Sequence, residues 1–178
     1  MKKVLFTLAM MMAATLVYSQ NVVRSKGMDG HFEYQPDAKA YGLSGTGDIN
    51  EYICFKAGVT SNLKFGSGDQ KYFLGIFGVG VHQRIVFNDI FLVQGRLYPY
   101  IGYSSNTTPG ANKYDKPEEK NKFTYGAAAE LLLGFKLWST SGGNDYYFTA
   151  GYQIRAGEFK TDGMFKYGNI MAGLTVIL

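Results

Sequence analysis

Apolar side chains alternate with small or polar ones through six long segments of this sequence, 51–65, 72–87, 90–103, 123–138, 146–159 and 166–178. In 72–87 the odd positions hold Phe73, Gly75, Phe77, Val79, Val81, Gln83, Ile85 and Phe87, and the even ones include Gly78, Gly80, His82 and Arg84. Successive side chains of a strand point to opposite faces, so each segment reads as one strand with one apolar face. Two weaker stretches, 31–34 and 39–45, predict a seventh and an eighth strand. Helical periodicity is missing after the first twenty or so residues. The 23 Gly, 14 Tyr and 13 Phe, with only 18% charged residues, exclude a disordered chain or a coiled coil and suit strands joined by tight turns.

Alternation alone does not say which face is outside. The exterior of a soluble barrel is dense in Lys, Glu and Asp. The polar face here is mostly Gly, Thr, Asn and Gln, with a charge only every several residues. That composition suits a narrow interior crossed by a few long side chains, with the continuous Phe, Val, Leu, Ile and Ala face turned to hydrocarbon. A secreted soluble barrel holding an apolar ligand would reverse the two faces, and stands as the alternative.

Lys2 and Lys3 precede an apolar run over 4–17, followed by Tyr18, Ser19 and Gln20. The run is short of the roughly 20 residues of a spanning helix and reads as a secretory signal peptide, 1–19, leaving 20–178 as one barrel domain. Without Lys2 and Lys3 the formal charge of +4 falls to +2, which argues against a nucleic-acid partner. Cys54 is the single cysteine, so no internal disulfide is available. His31 and His82 are the only imidazoles, and neither stands in a nucleophile-elbow or metal-ligand pattern. Gly75, Gly78 and Gly80 are not followed by a helix, so a dinucleotide fingerprint is rejected. Catalytic residues, cofactors and metals are therefore not expected.

The ionisable residues assigned to the interior are His31, Glu33, Lys56, His82, Arg84, Arg96, Glu130, Lys136 and Arg155, cations outnumbering acids. Arg84, Arg96 and Arg155 fall near mid-strand and are expected to share Glu33 and Glu130 in one network.

With a leader, repeated alternation and an alternating last strand, the chain over 28–178 resembles the small outer-membrane β-barrel proteins, the OmpA-like and OmpX-like eight-stranded class and its Bacteroidetes-type domains. One departure is Leu178, where such proteins often end in Phe. The resemblance implies an all-β, single antiparallel up-and-down transmembrane barrel of eight strands in the cell outer membrane. It also implies a plugged polar lumen and a non-catalytic structural, surface-interaction or assembly role. Implied partners are outer-membrane lipid and lipopolysaccharide, the barrel-insertion machinery during biogenesis, and an unidentified protein. A lipid-modifying enzyme and a narrow anion pore are the rival roles.

With the last strand descending, 36–38, 66–71, 104–122 and 161–165 become external connections, and 46–50, 88–89 and 139–145 periplasmic ones. The 104–122 loop offers Lys113, Lys116, Lys120 and Lys122 to lipopolysaccharide phosphates or to a protein partner. Tyr72, Tyr98, Tyr100, Tyr103, Phe123 and Tyr125 are expected in an outer aromatic girdle. Phe87, Phe91, Trp138, Tyr146 and Phe148 are expected in an inner one.

Overall fold

A computed structural model of the chain describes residues 26–36, 39–62, 71–108, 118–159 and 163–178. The leader expected at 1–19 lies outside them. Eight strands follow in order: β1 (Gly27–Gln35), β2 (Ala40–Asp48), β3 (Ile53–Ser61), β4 (Lys71–Phe87), β5 (Phe91–Thr108), β6 (Glu118–Ser139), β7 (Asp145–Phe159) and β8 (Gly163–Ile177). Each pairs antiparallel with the next, and β8 returns to β1 from Gly27↔Ile177 to Tyr34↔Ile170, closing the barrel. The fold is the closed, eight-stranded, antiparallel up-and-down barrel expected from the sequence.

β1 and β2 run beyond the weak stretches that foretold them. Gly27, Gly30, Gly42, Gly45 and Gly47 dilute their alternation. In a closed sheet the ladder on both sides holds such strands whatever their propensity.

The expected 104–122 loop is corrected. Pairing of β5 with β6 continues from Ser104↔Lys122 to Thr108↔Glu118, so both ends of that stretch belong to the ladder. Lys120 and Lys122 are strand residues, whereas Lys113 and Lys116 lie outside the described residues. Apolar alternation stops before this stretch, but backbone pairing continues through it.

At the other end the connections are short. Asn88 and Asp89 take φ of 51° and 57°, and Ile90 N donates to Phe87 O at 3.1 Å, turning β4 into β5. Asn and Asp tolerate this left-handed region better than most residues, which is why they serve in such a turn.

The faces divide as the composition requires. Leu43, Phe77, Ile101, Leu133, Phe148 and Leu174 stand exposed on the outside, while the largest fully buried side chains are Arg84, Arg96 and Arg155. The secreted soluble alternative requires the Phe and Leu face inside, and here that face is outside. Of the expected outer girdle, Tyr103, Phe123 and Tyr125 are exposed, but Tyr98 and Tyr100 are buried in the interior. They sit at even positions of β5, on the same face as Gln94 and Arg96, and that parity overrides any preference of Tyr for the interface.

Candidate functional site

The interior is built by parity. β1 sends Asp29, His31, Glu33 and Gln35 inward at alternate positions, and β2 sends Ser44, Thr46 and Asp48. Lys56 comes from β3, His82 and Arg84 from β4, Arg96 and Tyr98 from β5, and Glu130 from β6. β7 adds Thr149, Gln153 and Arg155, and β8 adds Asn169 and Thr175.

Glu130 is the hub. It accepts from Lys56 Nζ, from Arg96 Nη1 at 3.0 Å, from Tyr98 OH at 2.6 Å and from Gln153 Nε2 at 2.5 Å. Arg96 continues to Asp29 and reaches Thr46 Oγ1 at 3.3 Å. Glu33 is a second hub, paired with Lys56 at 2.8 Å and with Arg155, and accepting from Asn169 Nδ2 at 3.0 Å. Gln153 ties the hubs together, because its carbonyl takes hydrogen bonds from Arg155 Nε and from Asn169 at 2.9 Å. Seven strands, all but β4, thus meet in one network.

Arg84 departs from expectation. It pairs with Asp48, not with Glu33 or Glu130, and His82 Nε2 lies 3.4 Å from the same carboxylate. Lys136, assigned to the interior from sequence, is a rim residue that pairs at 2.7 Å with the partly exposed Asp145.

Asp29 and Asp48 were missed, each lying just outside the strand bounds read from the sequence. Parity could have found them: 29, 31, 33 and 35 form one series, and 44, 46 and 48 another. Their inclusion corrects the charge count. Among the described residues four buried acids, Asp29, Glu33, Asp48 and Glu130, face four buried cations, Lys56, Arg84, Arg96 and Arg155. The expected excess of positive charge is absent there. An ion buried in low dielectric costs several kcal/mol unless paired and hydrogen-bonded, so the one-to-one balance is what lets these groups stay inside.

Apolar layers lie on both sides of the charges. Toward the short turns Leu92, Tyr147 and Ile177 pack together with Val86 against them. Toward the longer connections Leu74, Ile76, Tyr98, Tyr100 and Ala128 form the other layer. Tyr100 fits because Gly126 and Gly157 face it: a Cβ on Gly157 would come within 2.5 Å of its hydroxyl.

One chain of contacts has the order of a nucleophile relay. His31 Nδ1 lies 3.0 Å from Asp29, and its Nε2 lies 2.9 Å from Thr149 Oγ1. Yet Thr149 is 0% exposed, its hydroxyl is 3.2 Å from that of Thr175, and Arg96 occupies the other oxygen of Asp29. An attacking oxygen needs room for an electrophile about 3 Å away, and this one is walled in. Among the described residues no group of three His, Cys, Asp or Glu could hold a metal ion.

No family model matches the chain, and no curated protein does. Among solved structures it is similar to Ail, the attachment invasion locus protein of Yersinia pestis, at 14% identity and a TM-score of 0.48 over 88% of this chain and 100% of that one. The same protein in complex with the heparin analogue sucrose octasulfate matches at 15% identity and a TM-score of 0.46, over 86% of this chain and 97% of that one. The N-terminal β-barrel domain of Pseudomonas aeruginosa OprF matches at 11% identity and a TM-score of 0.49, covering 88% of this chain and 99% of the other.

Proposed function

We propose that the protein resides in the outer membrane of a Gram-negative cell as a non-catalytic barrel with a closed interior, serving a structural, surface-interaction or assembly role. The observation that supports this most directly is the inverted burial, with Arg84, Arg96, Arg155 and Lys56 inside and the Phe, Leu and Ile belt outside. Such an exterior has its free-energy minimum in hydrocarbon. The charged network and the apolar layers flanking it leave the lumen filled by its own side chains, as is usual for eight strands. Its environment is then outer-membrane lipid and lipopolysaccharide, and barrel-insertion machinery delivers it there. Lys113, Lys116, Lys120 and Lys122, in and around the β5–β6 connection, are the groups suited to lipopolysaccharide phosphates or an acidic protein surface.

Two measurements test this. In the outer-membrane fraction the protein should migrate compactly on a cold detergent gel and shift on boiling; recovery as soluble material instead would overturn the reading. In planar bilayers the purified barrel should show no stepwise conductance, and discrete ion steps would show that the network leaves a pore.

A further inference from the structure

The Arg84–Asp48 pair stands apart from the network that joins the other strands, although Arg84 has a polar neighbour on β5. His82 lies directly opposite Arg96, and Arg84 directly opposite Gln94, so four inward side chains form a square on two successive pairs of the β4–β5 ladder. All four are buried, Gln94 completely. Side chains directly opposed on one face have Cβ atoms about 5 Å apart, and long ones also reach along the diagonal. Yet His82 Nδ1, Arg84 Nε, Arg96 Nε and both amide atoms of Gln94 have no hydrogen-bond partner, in one another or elsewhere in the chain.

Other unpartnered atoms of the interior are placed differently. Asp29 Oδ1 and His31 Nδ1 lie 3.0 Å from one another, and Glu33 Oε1 lies 2.8 Å from Lys56 Nζ. Among the described residues no other two successive ladder pairs carry an unpartnered atom at all four positions. The chemistry of the square is mixed. Both guanidinium groups commit their Nη atoms elsewhere, Arg84 to Asp48 and Arg96 to Asp29, Thr46 and Glu130, and each leaves its Nε–H as a donor. His82 Nε2 faces the Asn50 carbonyl at 3.3 Å and Asp48 at 3.4 Å, both acceptors, so it carries the ring hydrogen and Nδ1 offers a lone pair. The Gln94 carbonyl is a second acceptor. Two donors and two acceptors are the complement of a water molecule, which accepts two hydrogen bonds and donates two. An anion would take the arginine donors, leave both acceptors unmatched and upset the balance of four buried acids with four buried cations.

We infer that this square on β4 and β5 is a buried water site, in which one water accepts from Arg84 Nε and Arg96 Nε and donates to Gln94 Oε1 and His82 Nδ1. Waters held inside proteins typically make about three bonds of this kind to groups that are otherwise unsatisfied. The water bridges the Arg84–Asp48 pair to the network centred on Glu130, and through it β4 joins the other seven strands. Captive among side chains, it leaves the interior closed to ions, so the site is independent of the role the barrel serves.

A crystal structure of the full mature barrel, grown with bromide in place of chloride and at a resolution that shows ordered waters, tests the site. One water peak about 3 Å from the Nε atoms of both arginines is expected, with no anomalous signal there. An anomalous peak would make the ligand a halide, and Gln94 bonded directly to Arg84 with no density between the strands would leave no ligand at all; either result overturns the proposal. In detergent micelles the Nε–H protons of Arg84 and Arg96 should show NMR cross-relaxation with a long-lived water. Gln94→Leu removes the carbonyl and sets an apolar side chain of similar size against the site, so both cross-peaks should be lost. Their persistence at wild-type strength would place the water elsewhere and overturn the assignment. Cold and boiled gel mobility reports whether the variant folds, and where it does not, the wild-type crystal decides the question.

Discussion

Most of the interior charges are held by more than one partner, so the cost of a substitution depends on what it leaves behind. Arg96 bridges Asp29 and Glu130 from a position 1% exposed. Arg96→Met takes from Asp29 its guanidinium partner and leaves Glu130 with Lys56 as its cation, and it is expected to cost about 3–5 kcal/mol, the range for breaking a buried pair from one side. Lys136→Met removes the half-open rim pair with Asp145 and is expected to cost less than about 1 kcal/mol. Urea unfolding midpoints of the two variants in the same detergent check the contrast, and similar midpoints would mean that the interior network is already solvated. Which residues are charged and inward was legible from parity for Glu33, Arg84, Arg96, Glu130 and Arg155. Pairing with Glu130 and Glu33 followed for Arg96 and Arg155 but not for Arg84, because Arg84 reaches Asp48 on β2, and strand length decided whether Asp29 and Asp48 counted as interior at all.

Strands were legible where one face is apolar and the other polar, since that division imposes a two-residue period. Beyond it the signal fades. The first residues of β6 and the last of β5 carry Ser, Asn, Thr, Glu and Lys, and nothing in their hydropathy separates a paired ribbon from a loop. β1 and β2 were faint for the opposite reason, small residues within the span. The β4–β5 turn is where an element depends on local backbone chemistry. Asn88→Val places a β-branched residue at a φ of 51°, with an expected cost of about 1–2 kcal/mol and slower refolding into micelles. Asn88→Gly should be tolerated. Stopped-flow refolding followed by Trp138 fluorescence distinguishes them, and identical kinetics would show that the turn forms after the rate-limiting step.

For the molecule as a whole, closure replaces a hydrophobic core as the organising event. Every strand has two neighbours, and the seam between β1 and β8 leaves no free edge. Interior pairs shielded from solvent are also poorly screened by salt. Raising ionic strength from low to about 0.5 M is therefore expected to leave the heating temperature of the gel shift nearly unchanged, and a fall of many degrees would imply that water reaches the network.

The seam has one more consequence. Asp29 and Glu33 lie on β1, while the cations that neutralise them come from β3, β5 and β7. Until β8 docks against β1, those carboxylates and their distant partners cannot all be matched, and an open intermediate carries unbalanced charge on its inner face. Charge balance thus proofreads assembly: it penalises the half-made barrel and falls silent in the finished one. A chain lacking 163–178 should consequently remain urea-extractable and protease-sensitive even when every other strand is present, and its full insertion would show that balance is reached before the ring is sealed.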